Sequence, residues 1–190
     1  MKESKVWMVL ALFITCLLSA FALAQVYAIT RAQIEYQRNV AGLKAAFNAV
    51  LPEADRFEPA TPDSMVWFAY QGKTRIGSIV KTAHQGYGGP VPVTAGIDPQ
   101  GRVIAIRVAS AAEGLKETPG LGLKATEPAF RDQFVGRTAA ELKLKKDGGA
   151  IEAITGATIT SRAVTDGLRA ALEKYRNLLV IESGGENEQQ

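Results

Sequence analysis

Three things are scarce in this sequence of 190 residues: cysteine, histidine and an excess of charge of one sign. The single cysteine, Cys16, excludes an internal disulfide and any cysteine cluster that would hold a metal or an iron–sulfur centre. The single histidine, His84, excludes a histidine-rich metal site. The net charge of +3 comes from 22 basic and 19 acidic residues without one long basic block, so no nucleic-acid partner is expected. The remaining composition is that of an ordinary globular protein.

Charge is missing altogether from one stretch near the N-terminus. No charged residue lies between Lys5 and Arg31, and residues 6–24 read VWMVLALFITCLLSAFALA. As a helix rising 1.5 Å per residue, this stretch would span about 28 Å, which is close to the ~30 Å hydrocarbon core of a bilayer. We therefore interpret residues 1–30 as an uncleaved transmembrane signal anchor.

The same stretch leaves a second interpretation open, a cleaved leader. Residues 22–24 (ALA) fit the small-x-small pattern of a signal-peptidase site. However, the apolar run is longer than the ~7–15 residues usual for a leader, and Trp7 and Tyr27 lie where an aromatic belt would place them. Lys2 and Lys5 favour a cytoplasmic N-terminus. Both interpretations export the domain that follows.

The rest of the chain reads as one α+β domain with a leading segment and a tail. Residues 31–63 are expected to form an amphipathic helix and a proline-containing linker, and residues 181–190 a polar, disordered tail. Residues 64–180 carry apolar patterns typical of strands and then of helices. The predicted domain has a twisted, mainly antiparallel sheet with helices beside it.

Turn signals and apolar spacing locate the elements of that domain. Asp98-Pro99-Gln100-Gly101 predicts a hairpin, and Glu127-Pro128 predicts the start of a short helix through Phe134. An amphipathic helix is expected from about residue 160 to residue 179, after a short apolar run at 150–154. The predicted strands are 65–70, 76–83, 91–97 and 103–108.

The segment with the most chemical information is EAITGATITSR, residues 152–162. It runs from a short apolar stretch through a glycine turn into a helix that begins with several hydroxyl side chains. A helix N-terminus of this kind suits a phosphate group, but a serine or threonine before a helix is more often a simple N-cap. The spacing is neither that of a Walker A loop nor that of a dinucleotide fingerprint. The residues alone leave both interpretations open.

A resemblance to a known family is carried by this segment and three others. Residues 155–158, ThrGlyAlaThr, are followed by IleThrSerArg and resemble the flavinylation motif of FMN-binding domains, in which an acid stands six residues before the last threonine. Three further blocks match in order: GlyTyrGlyGlyPro at 86–90, GluThrProGlyLeuGly at 117–122 and LysLysAspGlyGly at 145–149. With the N-terminal span, the chain resembles the G subunits of Rnf (Rsx) ion-translocating electron transport complexes. The related C subunit of the Na⁺-translocating NADH:quinone reductase is a poorer fit, being usually longer.

The resemblance implies a covalent FMN, held by a phosphoester on Thr158. It further implies that Thr155, Gly156 and Ala157 form the turn presenting that hydroxyl. Two positions depart from the family pattern: Glu152 replaces the usual aspartate of the motif, and Leu115 stands where relatives often have histidine. Further candidate contacts to the flavin lie in the second block, at Glu117, Thr118, Gly120, Leu121 and Gly122, and Tyr87 is a candidate for stacking on its ring.

The implied function is that of an electron carrier without catalytic activity of its own. Nothing adjacent to Thr158 is an evident base, so attachment is expected to need an external flavin transferase. The implied partners are the other subunits of an Rnf-type complex in the cytoplasmic (inner) membrane, with this domain on the periplasmic side. Two alternatives stay open: a stand-alone exported FMN carrier of another redox system, and a non-redox binding module.

Overall fold

The structure is a computed structural model that describes residues 2–36 and 42–180, with side chains over 7–27 and 42–180. The chain divides into two compact units, Met1–Ala45 and Ala46–Gln190. In the first unit, helix α1 spans Lys2–Tyr36 and contains the apolar segment Trp7–Tyr27, whose 21 residues are enough to cross a membrane. The tail predicted at 181–190 and part of the helix predicted after residue 31 lie outside the described residues.

The second unit is built on an antiparallel sheet whose five strands follow one another in chain order. Helix α2, Gly42–Val50, leads into it. Each strand pairs with the next through a turn, so all contacts in the sheet are between neighbours in the sequence. The strands are β1 Arg56–Pro59, β2 Val66–Gln71, β3 Thr74–Gln85, β4 Pro90–Ile97 and β5 Val103–Val108.

The antiparallel α+β architecture predicted from the sequence is confirmed, with one strand more than expected. Four strands fall where apolar alternation places them, and the hairpin predicted at residues 98–101 joins β4 to β5. The additional strand, β1, lies in the segment expected to be a loop. It pairs with β2, and its Phe57 ring packs edge-on against Phe47 of α2 at 5.2 Å.

Helices cover the two faces of the sheet. Because side chains alternate across a strand, Val80 and Ala95 face one side while Ile79 and Gly96 face the other. Helix α4, Thr158–Lys174, packs on the first side through β3 and β4, burying Leu168 with the main apolar core. The end of α2 packs on the second side. A Cβ at Gly96 would lie 2.6 Å from the Val50 carbonyl oxygen, so this close approach requires glycine.

Between β5 and α4 the chain forms short helical turns instead of further strands. Helix α3, Pro128–Arg131, starts at the predicted proline and continues as a 3₁₀ turn to Phe134. The short apolar run at 150–154 forms no strand and contributes a single parallel bridge, Leu144 to Ile151. Helix α4 begins two residues earlier than expected, and a separate short helix α5, Arg176–Leu179, follows it.

A charged cluster fixes the point where the chain leaves β5. The carboxylate of Glu113 accepts hydrogen bonds from the backbone N–H and hydroxyl of Ser110 at 2.9 and 2.8 Å, and from Arg107 at 2.6 and 2.7 Å. Partial burial raises the pKa of Glu113, but the hydrogen bonds from Ser110 and Arg107 outweigh it and lower that pKa from 4.5 to about 2. The ionised form is therefore favoured in the folded protein.

We expect the stabilisation due to Glu113 to depend on pH. Its pKa is lower in the folded than in the unfolded chain, so its contribution is complete above 4.5 and disappears as the pH falls toward 2. Urea unfolding of the wild type and of Glu113→Gln, compared from neutral pH downward, should give a difference in the free energy of unfolding that shrinks over this interval. A difference that does not change with pH would contradict this assignment.

Candidate functional site

A cavity of about 460 Å³ opens where the turn between β3 and β4 meets the start of α4. Three segments from distant parts of the sequence form it: the β3–β4 turn, the loop after β5, and the turn that leads into α4. Its volume lies within the ~300–1,000 Å³ usual for small-molecule sites. Its wall consists of Tyr87, Glu117, Thr118, Leu121, Gly122, Gly156, Ala157, Thr158, Ile159 and Thr160.

The cavity brings together most of the cofactor residues expected from the sequence. Seven of them are in its wall, while Thr155 and Gly120 lie outside it. Tyr87 is in the wall with 72% of its surface exposed. His84 is exposed at the end of β3 and packs beside Gly167, away from the cavity.

The carboxylate of Glu117 holds the three segments together. It is 8% exposed. Its Oε1 accepts hydrogen bonds from the backbone N–H groups of Tyr87 and Gly88 at 2.9 and 3.3 Å, and its Oε2 accepts one from the Thr160 hydroxyl at 2.9 Å. One side chain thus links its own loop to the β3–β4 turn and to the first turn of α4. Buried carboxylates need such partners, and here all three donors are neutral.

Two glycines make room for this carboxylate. A Cβ at Gly122 would collide with Oε2 and lie 2.8 Å from the Cβ of Glu117, and a Cβ at Gly86 would collide with Oε1. A Cβ at Gly88 would collide with the carbonyl oxygen of Lys116. These glycines are therefore required by close approach to the Glu117 side chain and its loop.

Thr158 is the first residue of α4, and its side chain does not cap the helix. The N-cap position belongs to Ala157, which has no capping side chain, and Thr158 is half-buried in the cavity wall. Among the described residues, no hydrogen bond joins the Thr158 hydroxyl to another group. The N-terminal turn of a helix presents free N–H groups and a partial positive charge, so the hydroxyl lies where a phosphate is stabilised.

The neighbouring hydroxyls are engaged in holding the backbone. Ser161 is fully buried, donates to the Ala157 carbonyl at 2.9 Å and accepts from the Ile154 N–H at 2.9 Å. The Ala157 N–H closes a turn onto the Ile154 carbonyl at 2.9 Å, with Gly156 at φ +77°. The left-handed conformation of Gly156 is one that other residues adopt only with strain. The turn that precedes Thr158 is thus fixed at both ends.

Glu152, the acid of the resembling motif, points elsewhere. It is exposed and forms an ion pair with Lys145 at 2.9 Å, and this hydrogen bond and charge lower its pKa. Its backbone N–H donates to Gln133 Oε1 at 2.7 Å, and its carbonyl accepts from Gln133 Nε2 at 3.4 Å. The amide of Gln133 thus takes the place of a neighbouring strand. The sequence gives no sign of this role of Gln133, because Gln133 and Glu152 are nineteen positions apart and neither belongs to a periodic pattern.

Basic side chains near the motif are paired outside the cavity. Arg162 forms an ion pair with Asp147 at 3.0 Å, and Lys145 is paired with Glu152. Over the described part of the chain, the cavity wall contains no lysine, arginine or histidine. The positive potential available to an anion at Thr158 therefore comes from the helix N-terminus.

The glycine-rich loop that contains Glu117 and the uncapped threonine at the start of α4 both lie in a part of the chain that matches a known family. Residues 86–173 match the FMN-binding domain family. The match begins at the β3–β4 turn and ends near the C-terminus of α4, so it contains every residue of the cavity wall.

The chain belongs to the family of G subunits of ion-translocating (Rnf-type) oxidoreductase complexes. It is 35% identical, over 86% of its length and 87% of the relative, to the G subunit of the proton-translocating ferredoxin:NAD(+) oxidoreductase complex of Clostridium ljungdahlii. It is also 35% identical, over 89% of its length and 90% of the relative, to the G subunit of the Na(+)-translocating ferredoxin:NAD(+) oxidoreductase complex of Acetobacterium woodii. Among solved structures, the C subunit of the Na(+)-translocating NADH-quinone reductase of Parabacteroides distasonis has a TM-score of 0.47 at 21% identity, covering 62% of this chain and 63% of that one.

The contact between Gly122 and Glu117 predicts a large effect of a single methyl group. In Gly122→Ala, the new Cβ displaces the carboxylate, and we expect a loss of about 2–4 kcal/mol from overpacking together with the lost hydrogen bond to Thr160. The measurement is the free energy of unfolding in urea.

Gly114→Ala is the matched control. Gly114 has φ +102°, and a Cβ added there would have no atom within 4 Å, so alanine should cost only about 1 kcal/mol of backbone strain. If Gly122→Ala destabilises the protein no more than this control does, the close packing around Glu117 is not required.

Proposed function

We propose that this protein carries FMN covalently, as a phosphoester on Thr158, and passes electrons within an Rnf-type ion-translocating complex. The observation that carries the proposal is the position of the Thr158 hydroxyl. Thr158 is the first residue of the seventeen-residue helix α4 and lines a cavity of about 460 Å³. Its hydroxyl has no hydrogen bond to another described residue. A threonine that only capped the helix would instead direct its hydroxyl to backbone N–H groups.

The residues present fit an FMN group. Gly156 brings the backbone of its turn close to Leu121, and a Cβ at position 156 would lie 2.9 Å from Leu121 Cδ2. Because glycine has no side chain, this side of the cavity stays open. The N–H groups of the first turn of α4 suit the phosphate. Leu121, Ile159 and Tyr87 offer apolar and aromatic surface for a flavin ring. When bound, FMN supplies transfer of one or two electrons, and the protein supplies orientation and electrostatics.

Attachment requires an activated donor and a base from another protein. The bond formed joins Thr158 Oγ to the flavin phosphorus, and the bond broken is a phosphoanhydride of the flavin donor, whose other half leaves with the electron pair. The hydroxyl proton needs an acceptor. The acid nearest in the cavity wall is Glu117, whose oxygens are engaged with Thr160, Tyr87 and Gly88. An external flavin transferase is therefore the proposed source of the base.

Within the complex, this chain is proposed to serve as a relay between other redox groups. The relatives are named as subunits of ferredoxin:NAD(+) oxidoreductase complexes that translocate protons or Na⁺. This sequence contains one cysteine and no dinucleotide fingerprint, so ferredoxin oxidation and NAD⁺ reduction are assigned to partner subunits. The ion path is also assigned to them, because a single apolar span has no polar lining.

The soluble unit is proposed to lie on the periplasmic side of the cytoplasmic membrane. Trp7–Tyr27 has the length and composition of a span, and Lys2 and Lys5 precede it. Positive charge before the first span favours retention of the N-terminus in the cytoplasm. The unit after α1 would then be exported, and a covalent bond would keep the flavin from being lost by dilution.

Replacement of Thr158 is expected to remove the flavin entirely. We expect wild-type protein, produced with a flavin transferase, to be fluorescent on a denaturing gel and heavier than the bare chain by FMN less one water. Thr158→Ala should have the unmodified mass and no fluorescence, because the attacking oxygen is gone. In-gel fluorescence and intact mass spectrometry measure both.

Thr158→Ser is the matched control, since serine removes only the methyl group and keeps a hydroxyl in the cavity wall. It should retain the flavin. Flavin that persists in Thr158→Ala would move the attachment site, and unmodified wild-type protein from its native host would contradict covalent binding.

The anchor predicts that the chain is retained whole in the membrane. We expect N-terminal sequencing of the mature protein to start at or next to Met1, and alkaline washing to leave it in the membrane fraction. A protease added outside spheroplasts should degrade the soluble unit. A mature protein that starts at Gln25 would instead identify a cleaved leader, and protection from the external protease would contradict the proposed side.

A further inference from the structure

Glu117 is a carboxylate in the wall of the cavity that Thr158 also lines. It is 8% exposed and accepts hydrogen bonds from two backbone N–H groups and one hydroxyl, all of them neutral. Over the side chains that the structure describes, no lysine, arginine or histidine forms an ion pair with it. Because these donors are neutral, the carboxylate and its hydrogen-bond partners together keep a net negative charge.

The position of this charge is fixed relative to Thr158. Its Oε2 is bound to Thr160, two residues further along the first turn of α4, while Oε1 is bound to the β3–β4 turn. Gly86 and Gly122 approach the two oxygens so closely that no Cβ fits at either position. These three hydrogen bonds and the close approach of the two glycines hold the carboxylate in the cavity wall.

A fixed negative charge beside a redox group opposes the addition of electrons to it. Reduction places negative charge on the group, and the repulsion is stronger where protein instead of water surrounds the pair. We propose that Glu117 lowers the midpoint potential of the flavin on Thr158 by placing in the wall of its cavity a negative charge that is paired with no basic side chain among the described residues. This inference rests on the proposed function.

The test is a redox titration of the full-length protein loaded with FMN, as wild type and as Glu117→Gln. Glutamine has the same shape and keeps an oxygen for the N–H groups of Tyr87 and Gly88, but carries no charge. We expect the midpoint potential to rise by at least the ~30 mV that corresponds to a tenfold change in a two-electron equilibrium constant. An unchanged or lower potential in Glu117→Gln would overturn the proposal.

Thr160→Val separates charge from packing. This substitution removes the hydrogen bond from the Thr160 hydroxyl to Glu117 and loosens the contact between α4 and the Glu117 loop, but the charge of the carboxylate remains. Its potential should therefore be equal to or lower than that of the wild type. A rise similar to that in Glu117→Gln would show that loosening of the cavity is the cause, and would overturn the role of the charge.

The same samples distinguish failure of this inference from failure of the proposed function. Intact mass establishes whether the wild type carries covalent FMN before any potential is measured. Wild-type protein without FMN contradicts the proposed function. Wild-type protein with FMN, and with a potential that Glu117→Gln does not raise, contradicts only the inference. Should Glu117→Gln fail to fold, a potential in Thr160→Val above the wild-type value still overturns it.

Discussion

The hydrogen bonds of the Glu117 carboxylate are the constraint on which the site depends. They join a loop after β5, the turn between β3 and β4, and the first turn of α4. A buried carboxylate without partners would cost several kcal/mol, so moving any one of these segments away from Glu117 carries a penalty. This geometry requires glycine at positions 86 and 122, because a side chain at either position would collide with an oxygen of the Glu117 carboxylate.

The hydroxyl side chains in the first half of α4 are of two kinds: some form hydrogen bonds within the protein, and one lines the cavity without such a bond. Thr160, Ser161 and Thr165 face inward and bind Glu117, the motif backbone and the helix itself. Thr158 alone of the hydroxyls in the first turn lines the cavity without a bond to another described residue. An N-cap side chain typically contributes about 1 kcal/mol, and Ala157 gives none. The start of α4 therefore lacks this stabilisation.

What the sequence could predict was local. Strands β2 to β5 alternate in polarity between clear turns, so their positions follow from neighbouring residues alone. Strand β1 could not be found, because Phe57 is stabilised by packing against Phe47 and by pairing with β2. The support of Glu152 by Gln133 was missed for the same reason, as it joins parts of the chain that have no common periodicity. The resemblance indicated the segments that line the cavity, but not the hydrogen bond by which Thr160 joins two of them through Glu117.

The openness of the cavity explains why a covalent bond would be useful here. Tyr87, Leu121 and Ile159 line it with 72%, 42% and 54% of their surfaces exposed, so a flavin bound among them would keep an edge in solvent. Tight non-covalent ligands are usually about 70–90% buried, and the exposure that lets a redox partner approach removes part of that burial. The proposed ester to Thr158 would supply retention without enclosure, because it would make each rebinding intramolecular. Such a site could be shallow enough for electron exchange and still keep its cofactor.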